Sequence, residues 1–122
     1  MVSRNRILVV DDSPTQVEQL RALLEREGYA VEVALSGREG LERARTVPPD
    51  LIVSDIVMPE MDGIELARKA TELDPDLKVM FITGFAAVAL NADSTAPKQA
   101  KVLSKPIHLR DLVNEVEKLL AA

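Results

Sequence analysis

The stretch LIVSDIVMPEMDG, Leu51 to Gly63, decides how the rest of the chain is interpreted. Its first three residues, Leu51 to Val53, form an apolar run typical of a strand that is buried on both faces. The run ends at Asp55, and two turn-forming pairs, Met58-Pro59 and Asp62-Gly63, then predict a loop. The stretch therefore predicts a carboxylate at the carboxyl end of a parallel strand, the edge of an α/β sheet where ligands bind. An isolated Asp could also simply end a strand, so the interpretation depends on the other strands.

The length and composition describe an ordinary globular domain. The 122 residues suffice for one hydrophobic core, and 47% of them are hydrophobic and 29% charged. We expect a single domain over residues 1–122, with no output domain after its last helix. We expect neither a signal peptide nor a membrane span, since no apolar run is long enough to cross a bilayer. The absence of cysteine excludes disulfides and thiolate metal sites and is consistent with a cytoplasmic location.

The charge and the aromatic content argue against nucleic-acid binding. The formal net charge is −5, whereas a nucleic-acid surface needs a basic face to meet phosphates. Only two Phe and one Tyr are present, so there is no platform of aromatic rings on which bases could stack. We therefore look for a function that does not involve nucleic acid.

Short apolar runs alternate with amphipathic segments along the whole chain. The expected strands are Arg6–Val10, Tyr29–Ala34, the central run from Leu51, Lys78–Ile82 and Lys101–Ser104. Five helices are expected, beginning after Ser13, after Ser36, at Gly63, at Phe85 (a short helix) and at Leu109. Ser13 with Gln16, and Ser36 with Glu39, each predict a capping box. The last helix has the clearest apolar period, formed by Leu109, Leu112, Val113, Val116, Leu119 and Leu120. Five alternations predict a parallel sheet with helices on both faces, because parallel strands need crossover connections.

Polar groups follow four of the five strands. They are Asp11-Asp12, Asp55, Thr83 and Lys105. Because the carboxyl ends of such strands lie along one edge, we expect these groups to lie close together. Two carboxylates about 4 Å apart repel by roughly 4 kcal/mol near a protein surface, so something must offset the charge. Lys105 is one candidate and a hard divalent cation is the other. For a site of oxygen ligands alone, Mg²⁺ is the natural choice.

Taken together, the motifs VVDDS, LIVSDIVMPEMDG, FITG and LSKP resemble the receiver domain of two-component response regulators. The resemblance implies a doubly wound, CheY-like (flavodoxin-like) fold with five parallel strands in the order 2-1-3-4-5 and five helices. It implies a phosphorylation-controlled switch of a protein-interaction surface. Such a domain is not an enzyme in the ordinary sense, since it catalyses only its own phosphorylation and dephosphorylation.

The resemblance assigns the phosphoryl and metal chemistry to particular residues. Asp55 would take the phosphoryl group from a histidine kinase or phosphotransfer protein. Asp12 would bind Mg²⁺ directly, Asp11 mainly through water, and the main-chain carbonyl of Val57 would be the third protein ligand. In phosphoryl transfer, positioning and charge neutralisation do most of the work, which suits this set of groups.

The same resemblance assigns the switch. Thr83 and Lys105 would each contact a phosphoryl oxygen, and the Lys105-Pro106 peptide is expected to be cis. Receivers usually carry Tyr or Phe three residues before the lysine, where this chain has Val102. Since a valine has no ring to swing, Phe85 or the following loop is expected to take over the coupling.

From Asp55 onward the sequence resembles CpdR-type single-domain regulators of α-proteobacteria, which act by protein contact in the control of ClpXP proteolysis. The first half resembles receivers attached to hybrid kinases, so a chimeric or designed receiver is one alternative. A second alternative is a Mg²⁺-dependent phosphohydrolase, although Asp55-Ile56-Val57 lacks the second Asp of the Asp-x-Asp motif of such enzymes. A third is an inert pseudo-receiver, which would usually have lost Asp55, an acidic residue or Lys105. The implied partners are a kinase and an output protein related to ClpXP. A monomer and a weak dimer both remain open.

Overall fold

A computed structural model describes residues 5–84 and 100–121. The strands are β1 (Arg6–Val10), β2 (Ala30–Ala34), β3 (Leu51–Asp55), β4 (Lys78–Thr83) and β5 (Lys101–Ser104). The helices within these residues are α1 (Pro14–Arg26), α2 (Gly37–Thr46), α3 (Gly63–Leu73) and α4 (Leu109–Ala121). The short helix expected from Phe85, and Phe85 itself, lie outside the described residues.

The five strands form one parallel sheet in the order β2-β1-β3-β4-β5. This confirms the expected doubly wound architecture and strand order. The register pairs Val10 with Ser54, Asp55 with Ile82, and Thr83 with Ser104. The carboxyl ends of β1, β3, β4 and β5 therefore lie side by side.

Apolar side chains cover both faces of the sheet. We call the first layer the α2–α3 cluster; it includes Ile52 of β3 and packs under helices α2 and α3. We call the second layer the α1–α4 cluster; it includes Leu51 and Val53 and packs under helices α1 and α4. Alternate residues of β3 thus serve opposite layers, as expected for a strand with side-chain period two.

The helix starts follow the expected caps with one difference each. The Ser13 hydroxyl accepts from the Gln16 N–H and the Ser36 hydroxyl from the Glu39 N–H. In a full capping box the Ser13 N–H would bond the Gln16 side chain, but it donates instead to Asp11. Similarly, the Glu39 carboxylate accepts from the N–H of Leu35, one residue before the cap. Both helices are therefore capped at the side-chain oxygen, while the reciprocal bond is redirected.

Helix α4 buries only the middle of its expected apolar stripe. Leu112 and Val116 are fully buried, and Leu119 and Leu120 pack partly against the α1–α4 cluster. Leu109 is 55% exposed, because it lies in the first turn, next to the carboxyl edge of the sheet.

No helix in the described ranges is long and apolar enough to cross a membrane.

Candidate functional site

The carboxyl edge of the sheet gathers the polar residues that the sequence singles out. Asp11 directly follows β1, Asp55 and Thr83 are the last residues of β3 and β4, and Lys105 directly follows β5. The Lys105 N–H donates to the Thr83 carbonyl oxygen at 2.9 Å, which joins the ends of β4 and β5. The peptide bond between Lys105 and Pro106 is cis.

The Lys105 ammonium lies between two carboxylates. Its Nζ is 3.1 Å from Oδ2 of Asp55 and 4.0 Å from Oδ2 of Asp11. The Lys105 side chain is 31% exposed, so it is only partly screened by solvent. The other Asp55 carboxylate oxygen, Oδ1, accepts from the Val57 N–H at 3.2 Å. Both oxygens of Asp55 therefore have a donor, which fixes the plane of the carboxylate.

Three carboxylates form an acidic cluster at this edge. One oxygen from each of Asp11, Asp12 and Asp55 lies within 4.8 Å of the others. Asp11 is buried, Asp55 is partly buried and Asp12 is exposed, so the cluster opens to solvent on the Asp12 side. Lys105 is the ammonium group that contacts the cluster, so three carboxylates share one positive charge. The cluster therefore retains negative charge that a cation would offset.

The Asp11 carboxyl shows the electrostatic consequence. Its pKa is raised above the usual value, first by burial and then by the charges of Asp55 and Asp12. The hydrogen bond from the Ser13 N–H, at 2.9 Å, and the positive charge of Lys105 oppose that rise in pKa. Ionisation of Asp11 is thus less favourable in this site than in water, and a further positive charge would favour it.

The donor set fits a hard divalent cation. All three side chains offer carboxylate oxygens, and no histidine or cysteine lies within this cluster. Oxygen ligands with excess negative charge suit Mg²⁺ or a similar ion rather than a soft metal. The donor set is therefore compatible with the divalent cation that the sequence leads us to expect.

The remaining predicted residues occupy different surroundings. Thr83 is fully buried at the end of β4. The Val57 side chain is 55% exposed beside the cluster, while Val102 packs partly against the α2–α3 cluster. Sequence reasoning missed Ser54, a buried hydroxyl next to Asp55, although a polar residue inside the apolar run LIVSD was a signal that could have found it.

Comparisons with known proteins show which family this chain matches. The model of the response regulator receiver domain family matches residues 7–117. The response regulator receiver protein CpdR of Brucella abortus (strain 2308) is 62% identical over 117 residues, which cover 96% of this chain and 98% of that protein. The likeness to CpdR therefore is not confined to the second half of the chain.

Two further matches bear on the chemistry. The sensor kinase CckA of the same organism is 38% identical over 116 residues, covering 93% of this chain but 12% of the kinase. The crystal structure of the response regulator TrrA from Thermotoga maritima, in complex with Mg²⁺ and BeF, superposes with a TM-score of 0.84. It is 32% identical, and the match covers 94% of this chain and 98% of TrrA.

Proposed function

Since this chain belongs to the response regulator receiver domain family of two-component systems, we propose that Asp55 is its phosphoacceptor. The donor would be the phosphohistidine of a histidine kinase or phosphotransfer protein. The observation that carries the proposal is the contact of 3.1 Å between Asp55 Oδ2 and the Lys105 ammonium, beside the buried Asp11. Among the described carboxylates, Asp55 combines a strand-end position with bonds from both Lys105 and a backbone N–H.

The transfer is a displacement at phosphorus. A carboxylate oxygen of Asp55 forms the new P–O bond, the P–N bond to the donor histidine breaks, and the electron pair of that bond leaves with the imidazole nitrogen. Lys105 would neutralise charge on the phosphoryl oxygens, and the Thr83 hydroxyl would bond one of them after transfer. Because a carboxylate is a weak nucleophile, positioning and charge neutralisation must supply most of the acceleration.

We propose that Mg²⁺ binds at the acidic cluster. Asp11, Asp12 and Asp55 would hold it with the main-chain carbonyl of Val57, as the resemblance to receivers implies. When bound, the ion supplies positive charge that offsets the carboxylates and the incoming phosphoryl oxygens. The Mg²⁺–BeF complex of the similar TrrA supports this assignment for the family.

The output of the switch is a change of protein-binding surface. A phosphoryl group adds about −1.5 to −2 charge. The phosphoryl group would bind the Thr83 hydroxyl and the Lys105 ammonium. The backbone N–H of Lys105 already donates to the Thr83 carbonyl and so joins the ends of β4 and β5. To move a surface from 1:99 to 99:1, phosphorylation must favour one state by about 5.5 kcal/mol, which several charge-assisted hydrogen bonds can supply.

The pathway follows from the relatives as a proposal. The resemblance of the sequence to CpdR-type regulators supports an output partner connected with ClpXP proteolysis and reached by protein contact, and we propose that the protein acts in the cytoplasm. The match to a receiver-length part of the sensor kinase CckA agrees with a role in two-component signalling, in which a histidine kinase would be the source of the phosphoryl group.

Intact mass spectrometry after incubation with acetyl phosphate and Mg²⁺ tests the proposal. The wild-type chain should gain the mass of one phosphoryl group, and Asp55→Asn should gain none. Asp76→Asn, which alters an exposed carboxylate at the opposite end of the strands, is the matched control and should be phosphorylated normally. Phosphorylation of Asp55→Asn would show that another residue is the acceptor, and an unmodified wild type would refute the phosphoacceptor assignment.

A further inference from the structure

Ser54 is a buried hydroxyl in an apolar layer. It is 1% exposed, and it lies on the same face of β3 as Ile52 of the α2–α3 cluster. Its register partners on the adjoining strands are Val10 and Phe81, both apolar and both in that cluster. A hydroxyl in such surroundings is costly unless it finds an acceptor nearby.

The acceptor is the main-chain carbonyl of the next residue. The Ser54 hydroxyl donates to the Asp55 carbonyl oxygen at 2.7 Å. Helix α3 begins against the same oxygen: a Cβ added to Gly63 would collide with it and would stand 3.0 Å from the Ser54 Oγ. The Gly63 N–H donates to the Ile56 carbonyl oxygen at 2.9 Å, which closes the loop between β3 and α3. The Asp55 carbonyl is thus held by a hydroxyl and bounded by the start of a helix.

We propose that Ser54 is a positioning residue for the phosphoacceptor. The direction of the Asp55 carbonyl fixes the peptide plane that links Asp55 to the loop beyond it. That plane sets where the Val57 N–H lies relative to Asp55 Oδ1, now 3.2 Å away, and how the carboxylate meets Lys105 at 3.1 Å. The Ser54 hydroxyl never reaches the reacting atoms; it acts through the backbone of its neighbour. The inference rests on the proposed role of Asp55.

A purely space-filling Ser54 would behave differently from a positioning one. If the side chain only fills volume, Ser54→Ala should be harmless, while Ser54→Thr should be worse because it adds a methyl group to a packed layer. If the hydrogen bond matters, the order reverses, because Thr keeps the hydroxyl and Ala leaves the carbonyl without its donor. The two variants therefore separate the two roles.

The rate of phosphorylation of the full chain by acetyl phosphate, with excess Mg²⁺, gives the first readout. We expect Ser54→Ala to slow phosphorylation on the order of tenfold, since small misplacements of a reacting group have effects of that size or larger. Ser54→Thr should restore most of the rate. Thr71→Ala is the matched control, because the Thr71 hydroxyl donates to a backbone carbonyl, that of Ala67, at 2.8 Å and away from the site. Urea denaturation should show that all variants are folded.

Carbonyl NMR gives a second readout that does not depend on activity. Asp55-Ile56 is the only Asp-Ile pair in the sequence, so ¹³C-carbonyl Asp with ¹⁵N Ile yields a single correlated signal from this peptide. Loss of the hydrogen bond in Ser54→Ala should move the Asp55 carbonyl resonance to lower frequency, whereas Ser54→Thr and Thr71→Ala should leave it near its wild-type position.

The outcomes distinguish this inference from the proposed function. A wild type that is phosphorylated on Asp55, with a folded Ser54→Ala that reacts at the same rate, overturns the role of Ser54 and leaves the phosphoacceptor in place. An unchanged carbonyl resonance in Ser54→Ala overturns the hydrogen bond itself. A wild type that takes no phosphate overturns both.

Discussion

Replacing Asp11 with Asn should stabilise the metal-free protein while weakening its response to Mg²⁺. Asn keeps a side-chain oxygen that can accept the Ser13 N–H, now bonded to Asp11 Oδ1 at 2.9 Å. It removes one negative charge from a cluster in which Asp11 is the buried member, only 5% exposed. The substitution therefore tests the electrostatic cost of the site with little change in shape.

The contacts of Asp11 set the size of the effect. At an effective dielectric of about 20, a carboxylate oxygen no more than 4.8 Å away repels that of Asp11 by at least roughly 3.5 kcal/mol, and both Asp55 and the exposed, more strongly screened Asp12 lie within that distance. The attraction of Lys105 at 4.0 Å, about 4 kcal/mol on the same scale, offsets the repulsion from one of them. The remaining cost of ionising Asp11 comes mainly from burial of its charge, which is the first cause of its raised pKa. The hydrogen bond from the Ser13 N–H reduces that cost. We expect a gain of about 1–2 kcal/mol in the free energy of unfolding.

Urea denaturation in EDTA and in excess Mg²⁺ measures both effects. In EDTA, Asp11→Asn should be more stable than wild type near neutral pH. With Mg²⁺, wild type should gain free energy of unfolding by mass action, whereas Asp11→Asn should gain less. Glu42→Gln is the control: it removes the same unit of charge from an exposed position on α2 and should change neither quantity appreciably.

The pH dependence has a definite sign. A carboxyl whose pKa is raised by folding destabilises the folded state once it ionises, so the penalty from Asp11 is absent below its unfolded pKa and develops as pH rises through the folded pKa. The advantage of Asp11→Asn should therefore be greatest near neutral pH and shrink on acidification. The reasoning is refuted if Asp11→Asn is no more stable than wild type in EDTA, or if it gains as much from Mg²⁺.

Three further predictions concern other residues. In urea denaturation, Gly63→Ala should lower the free energy of unfolding by about 3 kcal/mol, because its Cβ would meet the Asp55 carbonyl. Gly28→Ala should lower it by only about 1 kcal/mol, because Gly28 has a φ of +98° but open space around it. Equal losses in the two variants would contradict this prediction. Lys105→Met should slow phosphorylation by acetyl phosphate on the order of a hundredfold, as for loss of one charge-stabilising donor, and a wild-type rate would exclude its role. The phosphorylated wild type should lose its phosphoryl group slowly, because the exposed, apolar Val57 side chain cannot orient the hydrolytic water. Val57→Asn should therefore shorten the lifetime of the labelled phosphoprotein. A lifetime of seconds in the wild type would count against this explanation.

Much of the fold follows from the apolar runs. The strands Arg6–Val10 and Lys101–Ser104 have the bounds expected from sequence, and β4 runs one residue further, to Thr83. Such agreement is expected for β1, whose residues after Arg6 are all buried between two layers of helices, whereas no residue of β5 is fully buried. The exposure of Leu109 could not be predicted, because periodicity indicates which side of a helix is apolar but not how far the surface it packs on extends.

The site divides in the same way. The approach of Asp11, Asp55 and Lys105 could be predicted, because parallel strands bring their carboxyl ends to one edge. The bonds that orient these groups could not: the Ser13 N–H reaches Asp11 and the Ser54 hydroxyl reaches the Asp55 carbonyl. Each depends on the backbone direction within one or two residues of a turn, which residue type and spacing do not specify.

Strand β3 shows why fold and function are specified together in this chain. Ile52 and Ser54 face the α2–α3 cluster, and Val53 and Asp55 alternate with them toward the other side. A shift of one residue in the pairing of β3 would exchange the two sets, placing Asp55 in an apolar layer and Ser54 at the acidic edge. Burying the carboxylate there would cost several kcal/mol without a partner. The pairing register of β3 therefore also decides which side chain meets Lys105.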